Sequence, residues 1–298
     1  MTSARGFSLV ELLVSLAVCA VFSAALAAVV PSARLAFNAA PAVLDLQQRG
    51  RTGVDVLAAA IRSADFGDLF PPVIPLAPLP DGDDTEFEAL YVISPVASPA
   101  RGELQRGQPG PRGPLTLAAA PGCPAIRDVC GFTAGAVAAI ADGSGRFDVF
   151  TVASTNAVRR EIMPANAFSA AYPAGSAVFE VQTHYFRLDD QSDGTRALVR
   201  ETAGGATQPI VDNVSAMAIQ LRRETSPTPL SAGDLDDGPF FEGGPEGSYD
   251  ADLFVVNRVD VRLSVGVPPV LLRDPNAVRD RTLHATFALR NVNARTLP

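Results

Sequence analysis

From Phe7 to Val30 the chain is apolar at every position but Glu11 and the serines, FSLVELLVSLAVCAVFSAALAAVV. Its 24 residues, at 1.5 Å each, make a helix of roughly 36 Å, against about 30 Å of bilayer hydrocarbon. One membrane-spanning helix is the expectation. A cleaved secretory signal peptide joins a basic start to a shorter apolar stretch and a small-residue cut. Here the run is longer than that, and Met1–Gly6 holds one basic residue, Arg5. Glu11 fits neither picture. A carboxylate within a bilayer costs about 2.5–3.5 kcal/mol and marks a functional position by default; the plainer alternative places it at the interface.

Behind this run the pattern changes. Val43, Leu46, Gly50, Val54, Leu57, Ile61 and Ala64 recur at spacings of three and four, with Asp45, Arg49, Arg51, Asp55, Arg62 and Asp65 among them. This is an amphipathic helix with one narrow apolar stripe, suited to packing on the chain's own domain. Pro41 is a candidate kink or fresh start, and Gly67 with Pro71-Pro72 is the stop.

From residue 67 onward runs rich in Val, Phe, Thr and Tyr, bounded by Gly, Pro and Asp, predict strands. They cover Leu90–Ser94, Phe147–Ala153, Val178–Leu188, Ala197–Glu201, Ile210–Arg222, Phe254–Val267 and Thr282–Arg290. Asp189–Arg196, with its Asp-Gly step, reads as a hairpin loop. The stretches 67–85, 95–114 and 225–250 read as irregular loops. GQPGPRGP is too short for a collagen repeat.

Composition narrows the choices. With 47 % apolar and 19 % charged residues the chain is no disordered polymer. Forty-eight Ala and no Lys or Trp suit a GC-rich bacterial genome. Residues 7–66 carry four Arg and four acids; residues 67–298 carry 19 Arg and 28 acids, net −9. That balance argues against nucleic acid as a partner, unless Arg residues cluster on folding. There is no GxSxG, GxxxxGK, HExxH or GxGxxG, so no enzyme is expected.

Arg5-Gly6-Phe7-Ser8-Leu9-Val10-Glu11-Leu12-Leu13-Val14 resembles the leader and methylation site of type IV prepilins and type II secretion pseudopilins. The pattern is a short basic leader ending in Gly, then Phe, then Glu as the fifth residue after the cut. The resemblance implies cleavage after Gly6 and N-methylation of Phe7 by a prepilin peptidase/methyltransferase. It implies that the Phe7 amine of one subunit pairs with Glu11 of its neighbour. Two charges that are costly alone in lipid become tolerable together and fix subunit register. Many pilins carry a Pro inside the apolar segment; here the first is Pro31, at its end.

Later residues carry a narrower resemblance. Tyr185-Phe186-Arg187-Leu188, Leu198-Val199-Arg200-Glu201, Pro209–Val214, Val259–Val265 and Leu289-Arg290-Asn291 are similar in order to the PilW-like minor pilins and the J-type pseudopilins of type II secretion. The latter are usually shorter, so length favours the pilus type.

If the domain is exported, Cys123 and Cys130 in PGCPAIRDVCG are candidates for a local disulfide, worth roughly 2.5 kcal/mol in the chain-entropy picture. Free thiols are the next reading and a metal the last. Cys19 is a small residue of the apolar helix. Asp81, Asp83 and Asp84, and Asp234, Asp236 and Asp237, are oxygen-rich loops without EF-hand spacing; calcium is a weak option beside solvated acid. His184 and His284 lie singly in strands. No cofactor is expected.

The fold these readings imply is α+β and pilin-like: a long N-terminal transmembrane helix packed on a mainly antiparallel β domain. Residues 1–6 are the leader, 7–30 the membrane helix, 31–66 its amphipathic continuation and 67–298 a periplasmic β-rich domain. The implied role is a minor pilin anchored in a bacterial inner membrane, then built into a filament with other pilins, priming assembly at its tip. The alternatives are a J-type pseudopilin, a membrane-anchored tip adhesin or DNA-uptake protein, and, last, a tethered hydrolase.

Overall fold

A computed structural model describes residues 8–64, 73–78, 84–97, 99–108, 110–119, 129–203, 207–223, 226–235, 251–266 and 280–289. One helix, α1 (Leu9–Ser63), takes up 55 residues. Pro41 does not end it, and it stops at Ser63, short of the residue 66 expected. Ala64 turns extended, donates to the Ile61 carbonyl at 3.3 Å and buries its methyl.

Among the described residues thirteen strands form one sheet whose pairings are all antiparallel. They are β1 (Val73–Pro78), β2 (Phe87–Pro95), β3 (Arg101–Glu103), β4 (Leu115–Thr116), β5 (Val137–Ala141), β6 (Phe147–Asn156) and β7 (Glu161–Pro164). Then follow β8 (Ala177–Asp190), β9 (Arg196–Thr202), β10 (Thr207–Val211), β11 (Val214–Arg223), β12 (Val256–Gly266) and β13 (Asp280–Ala288). The main path runs β13-β12-β11-β2-β8-β5-β6-β7-β4. The layout is α+β, as the hydrophobic pattern implied.

The C-terminal half of α1 lies on β13, β12, β10 and β2. Leu46, Leu57 and Ile61 are fully buried, and Ala58 and Ala64 nearly so. Burying each large aliphatic side chain contributes about 1.5–3 kcal/mol, so this stripe seats the helix. Gly50 and Gly53 allow the approach: a Cβ on Gly50 would sit 2.3 Å from Leu283 Cδ1, and one on Gly53 2.7 Å from Leu263 Cδ2. Arg49 adds a polar strap, donating to the carbonyls of Asp212 (3.0 Å) and Gly266 (3.1 Å).

Several expectations are corrected. The loop expected over 67–85 contains β1, whose Pro75 and Pro78 obscured it. Among the described residues β1 pairs with β2 alone, an edge position of the kind to which strand prolines are confined because they cannot donate to a second ladder. The loop expected over 95–114 contains β3. Ile210–Arg222 is two strands, split at Asp212-Asn213, where Asn213 adopts φ +55°; Asn tolerates that region better than most residues. Residues Ala251–Val255 form a 3₁₀ turn ahead of β12. The strands β4, β5 and β7 were not anticipated: β4 and β7 are short, and β5 is buried on both faces and so shows no alternation. The Asp189–Arg196 turn is a hairpin, closed between β8 and β9 with Gly194 at φ +78°.

The body has two apolar clusters. The larger joins α1 to β2, β8–β9 and β11–β13. The smaller is built between β2 and β8 by residues 100–178, with Phe132, Phe150, Phe168 and Tyr172 at its centre. Alternate residues of β5 serve both: Ala139 and Ala141 face the first, Ala138 and Ile140 the second.

Candidate functional site

The first turns of α1 carry the sequence-predicted site. Ser8 is the N-cap, its backbone extended at φ −73°, ψ 142°. Its Oγ accepts the Val10 N–H at 3.4 Å, and Glu11 Oε2 accepts the Ser8 N–H at 3.4 Å. This reciprocal capping box satisfies backbone donors that a helix start leaves unpaired, and places an acid against the positive end of the helix dipole. The S-x-x-E spacing before an apolar run is a sequence signature for it; Ser8 is a site residue that the motif reading passed over.

Glu11 is exposed on this start. A carboxylate accepts about four hydrogen bonds, and the Ser8 amide takes one long one. Among the described residues, oxygen lone pairs of Glu11 are left over for further donors. Gly6 and Phe7 lie outside the described residues.

Leu9–Ala27 is long and apolar enough to cross a membrane, and none of it is buried within the protein. Leu9, Val10, Leu12, Leu13, Leu16, Val21, Phe22 and Leu26 stand exposed. Water would not tolerate so continuous an apolar cylinder; lipid or other helices would cover it. Ser15 returns its hydroxyl to the Leu12 carbonyl at 2.9 Å, which hides that polar group inside the helix.

The other candidates lie in the β body. Cys130 is disulfide-bonded and Cys19 is free; Cys123 lies outside the described residues. Asp234 is drawn into a local turn, accepting from the Ser231 N–H (2.7 Å) and Oγ (2.8 Å). Those bonds hold its pKa below the usual carboxylate value. Asp81, Asp83, Asp236 and Asp237 lie outside the described residues, and Asp84 sits in a turn beside them. His284 is exposed on β13, whereas His184 is buried in β8 with Nδ1 unpartnered. Burial, then the Arg200 charge, pushes the His184 pKa down. The two histidines are on strands separated by β2, β11 and β12, so the fold does not gather them into one site.

A second polar group surfaces in the smaller cluster. Asp148 Oδ2 accepts from Tyr172 Oη (2.8 Å), Ser169 N–H (2.9 Å) and Ser169 Oγ (3.0 Å). Burial and the neighbouring Asp148 charge push the Tyr172 pKa well up. With its phenol held protonated and its partner acid saturated by donors, this trio locks the Ser169–Tyr172 segment onto β6 rather than offering a reactive group.

Residues 1–27 match the family described as the prokaryotic N-terminal methylation motif. No curated protein matches the chain. The match covers Met1–Gly6, the capped helix start and Glu11, and it runs into the exposed apolar half of α1. Proteins with this motif are structural subunits processed by a prepilin peptidase and assembled with other pilins. Over residues 1–27 and the apolar helix they open, the chain is similar to type IV prepilins.

Proposed function

We propose that the protein is a minor pilin: an assembly subunit, not an enzyme, made in the bacterial inner membrane with its β body in the periplasm. After cleavage behind Gly6 the apolar half of α1 moves from lipid into the helical core of a filament, and the β body faces outward. The Phe7 amine of one subunit meets Glu11 of the next. The observation that carries the reading is the exposed Glu11, set at the capped start of a helix whose next 16 residues are wholly unburied. The length of the β body supports a pilus rather than a secretion pseudopilus, and a role at the tip follows the minor-pilin resemblance.

The test is processing. Gly6→Val removes the small residue at the cut, so the variant should keep its leader and stay out of sheared filaments. Mass spectrometry of the native protein should give a mature N-terminus at methylated Phe7. Any other mature N-terminus sinks the proposal.

A further inference from the structure

The excursion between β2 and β8 is charged unlike the rest of the chain. Residues 96–176 carry seven Arg and five acids, net +2; the remainder of 67–298 carries 12 Arg and 23 acids, net −11. The arginines also differ in use. Elsewhere Arg49, Arg187, Arg196, Arg200, Arg222, Arg223 and Arg262 are tied into side-chain or carbonyl contacts, and among the described residues Arg51, Arg258 and Arg281 stand exposed without one, scattered over α1, β12 and β13. In the excursion Arg146 pairs with Asp142. Among the described residues Arg101, Arg106, Arg112, Arg159 and Arg160 have no side-chain partner, and all but Arg160 are exposed.

Backbone pairing brings most of them to one layer. Leu104 bridges Leu117, Gln105 donates to the Thr116 carbonyl, and Leu117 donates to that of Arg160. The segment with Arg101 and Arg106 therefore runs beside β4, and β4 beside the turn with Arg159 and Arg160. Arg112 lines an open cavity with Met163, Pro164 and Asn166. Val158, 95 % exposed, tops the same turn. Arg presents a rigid fork of donors suited to carboxylates and phosphates.

We propose that this basic layer docks onto the acidic body of a second copy of the chain. The contact rests on the subunit reading, since a filament is where copies meet. Two observations favour a protein carboxylate surface over nucleic acid. Glu103 and Glu161 sit among the arginines and would repel a continuous run of phosphates. The aromatic rings of the excursion, Phe132, Phe147, Phe150, Phe168 and Tyr172, are all buried, which leaves no platform for stacked bases. The rest of the chain supplies the complementary charge.

The experiment uses the full-length protein in a non-ionic detergent, with self-association followed by sedimentation at 50 and 500 mM salt. Charge contacts of this kind weaken with salt, whereas helix contacts in the detergent do not. Wild type should lose about tenfold in association across that range. Arg106→Glu with Arg112→Glu and Arg159→Glu should lose at least as much at low salt, with an unchanged melting temperature. Association that ignores both salt and the triple variant overturns the proposal. So does binding of a duplex DNA probe that the triple variant abolishes while self-association persists. Wild-type protein absent from sheared filaments would sink the subunit reading instead, and salt-dependent self-association would still stand.

Discussion

Gly53 and Leu263 meet where α1 crosses β12: a Cβ on Gly53 would lie 2.7 Å from Leu263 Cδ2, and 3.0 and 3.6 Å from Val211 and Leu198. All three neighbours are buried, so none has room to turn away. Gly50 shows a shorter approach, 2.3 Å, but its three nearest atoms all belong to Leu283, which is only half-buried on the edge strand β13.

The two positions should answer differently to alanine. Gly→Ala inside a helix gains about 1 kcal/mol of propensity, while overpacking a tight core costs about 1–3 kcal/mol. At Gly50 the Leu283 side chain rotates and Gly50→Ala should lie within about 0.5 kcal/mol of wild type. At Gly53 the clash dominates, and Gly53→Ala should destabilise by about 1 kcal/mol, Gly53→Val by more. Chemical denaturation ranks them; a Gly50→Ala variant weaker than Gly53→Ala would refute this account of the seat.

Arg49 should matter more than its acid partner. Its guanidinium reaches two carbonyls from separate strand ends, Asp212 and Gly266, besides Asp45 one turn back at 2.8 Å. Asp45 is 57 % exposed, and such a pair is worth about 0–1 kcal/mol. Arg49→Met leaves carbonyls short of a charged donor and should cost about 1–2 kcal/mol, against under 1 for Asp45→Ala. Arg49→Lys, with one ammonium for two acceptors, should recover only part. Equal losses in the Met and Ala variants would mean that the strap carries nothing beyond the surface pair.

The helix stripe was legible because amphipathic spacing reports directly on burial: Leu46, Leu57 and Ile61 are fully buried where the spacing put them. Gly53 was missed because a glycine adds nothing to a hydrophobic pattern, although its absent side chain is what admits Leu263. Strands half-covered by the core, such as β8 and β12, alternate and were readable; β5, packed on both faces, was not. Asn213 broke one expected strand by its backbone alone, a property of conformation that composition does not show. At the N-terminus the motif announced Glu11, while the role of Ser8 needed the capping geometry.

His184 ties stability to pH. Its folded pKa is pushed down by burial and by Arg200, so protonation favours the unfolded chain, where the value is about 6.5. The neutral form's advantage is complete above that value and is lost as pH falls below it. Asp193 and Asp234, whose pKa values are lowered by hydrogen bonds, stabilise the fold fully across this window and lose that contribution only as pH falls through the ordinary carboxylate range and below. Between pH 7.5 and 5.5 the wild-type melting temperature should therefore fall, and His184→Gln should flatten that slope. An equal slope in both proteins assigns the pH dependence elsewhere.

The cysteines give a count that needs no variant. Cys130 is disulfide-bonded, buried, and held at φ +55° beside Gly102, where a Cβ would come within 3.5 Å of its sulfur. Cys19 is a free thiol on the membrane-facing half of α1. With Cys123 as the partner of Cys130, the denatured but unreduced protein should titrate one thiol per chain, and three after reduction. The closed loop is short, so Cys130→Ser should cost roughly 2–3 kcal/mol and leave the sheet folded, because Phe132, Phe150 and Leu117 hold the smaller cluster without it. Three thiols in the unreduced protein would rule out the bridge; a variant that no longer folds would show that the smaller cluster depends on the bridge for more than chain entropy.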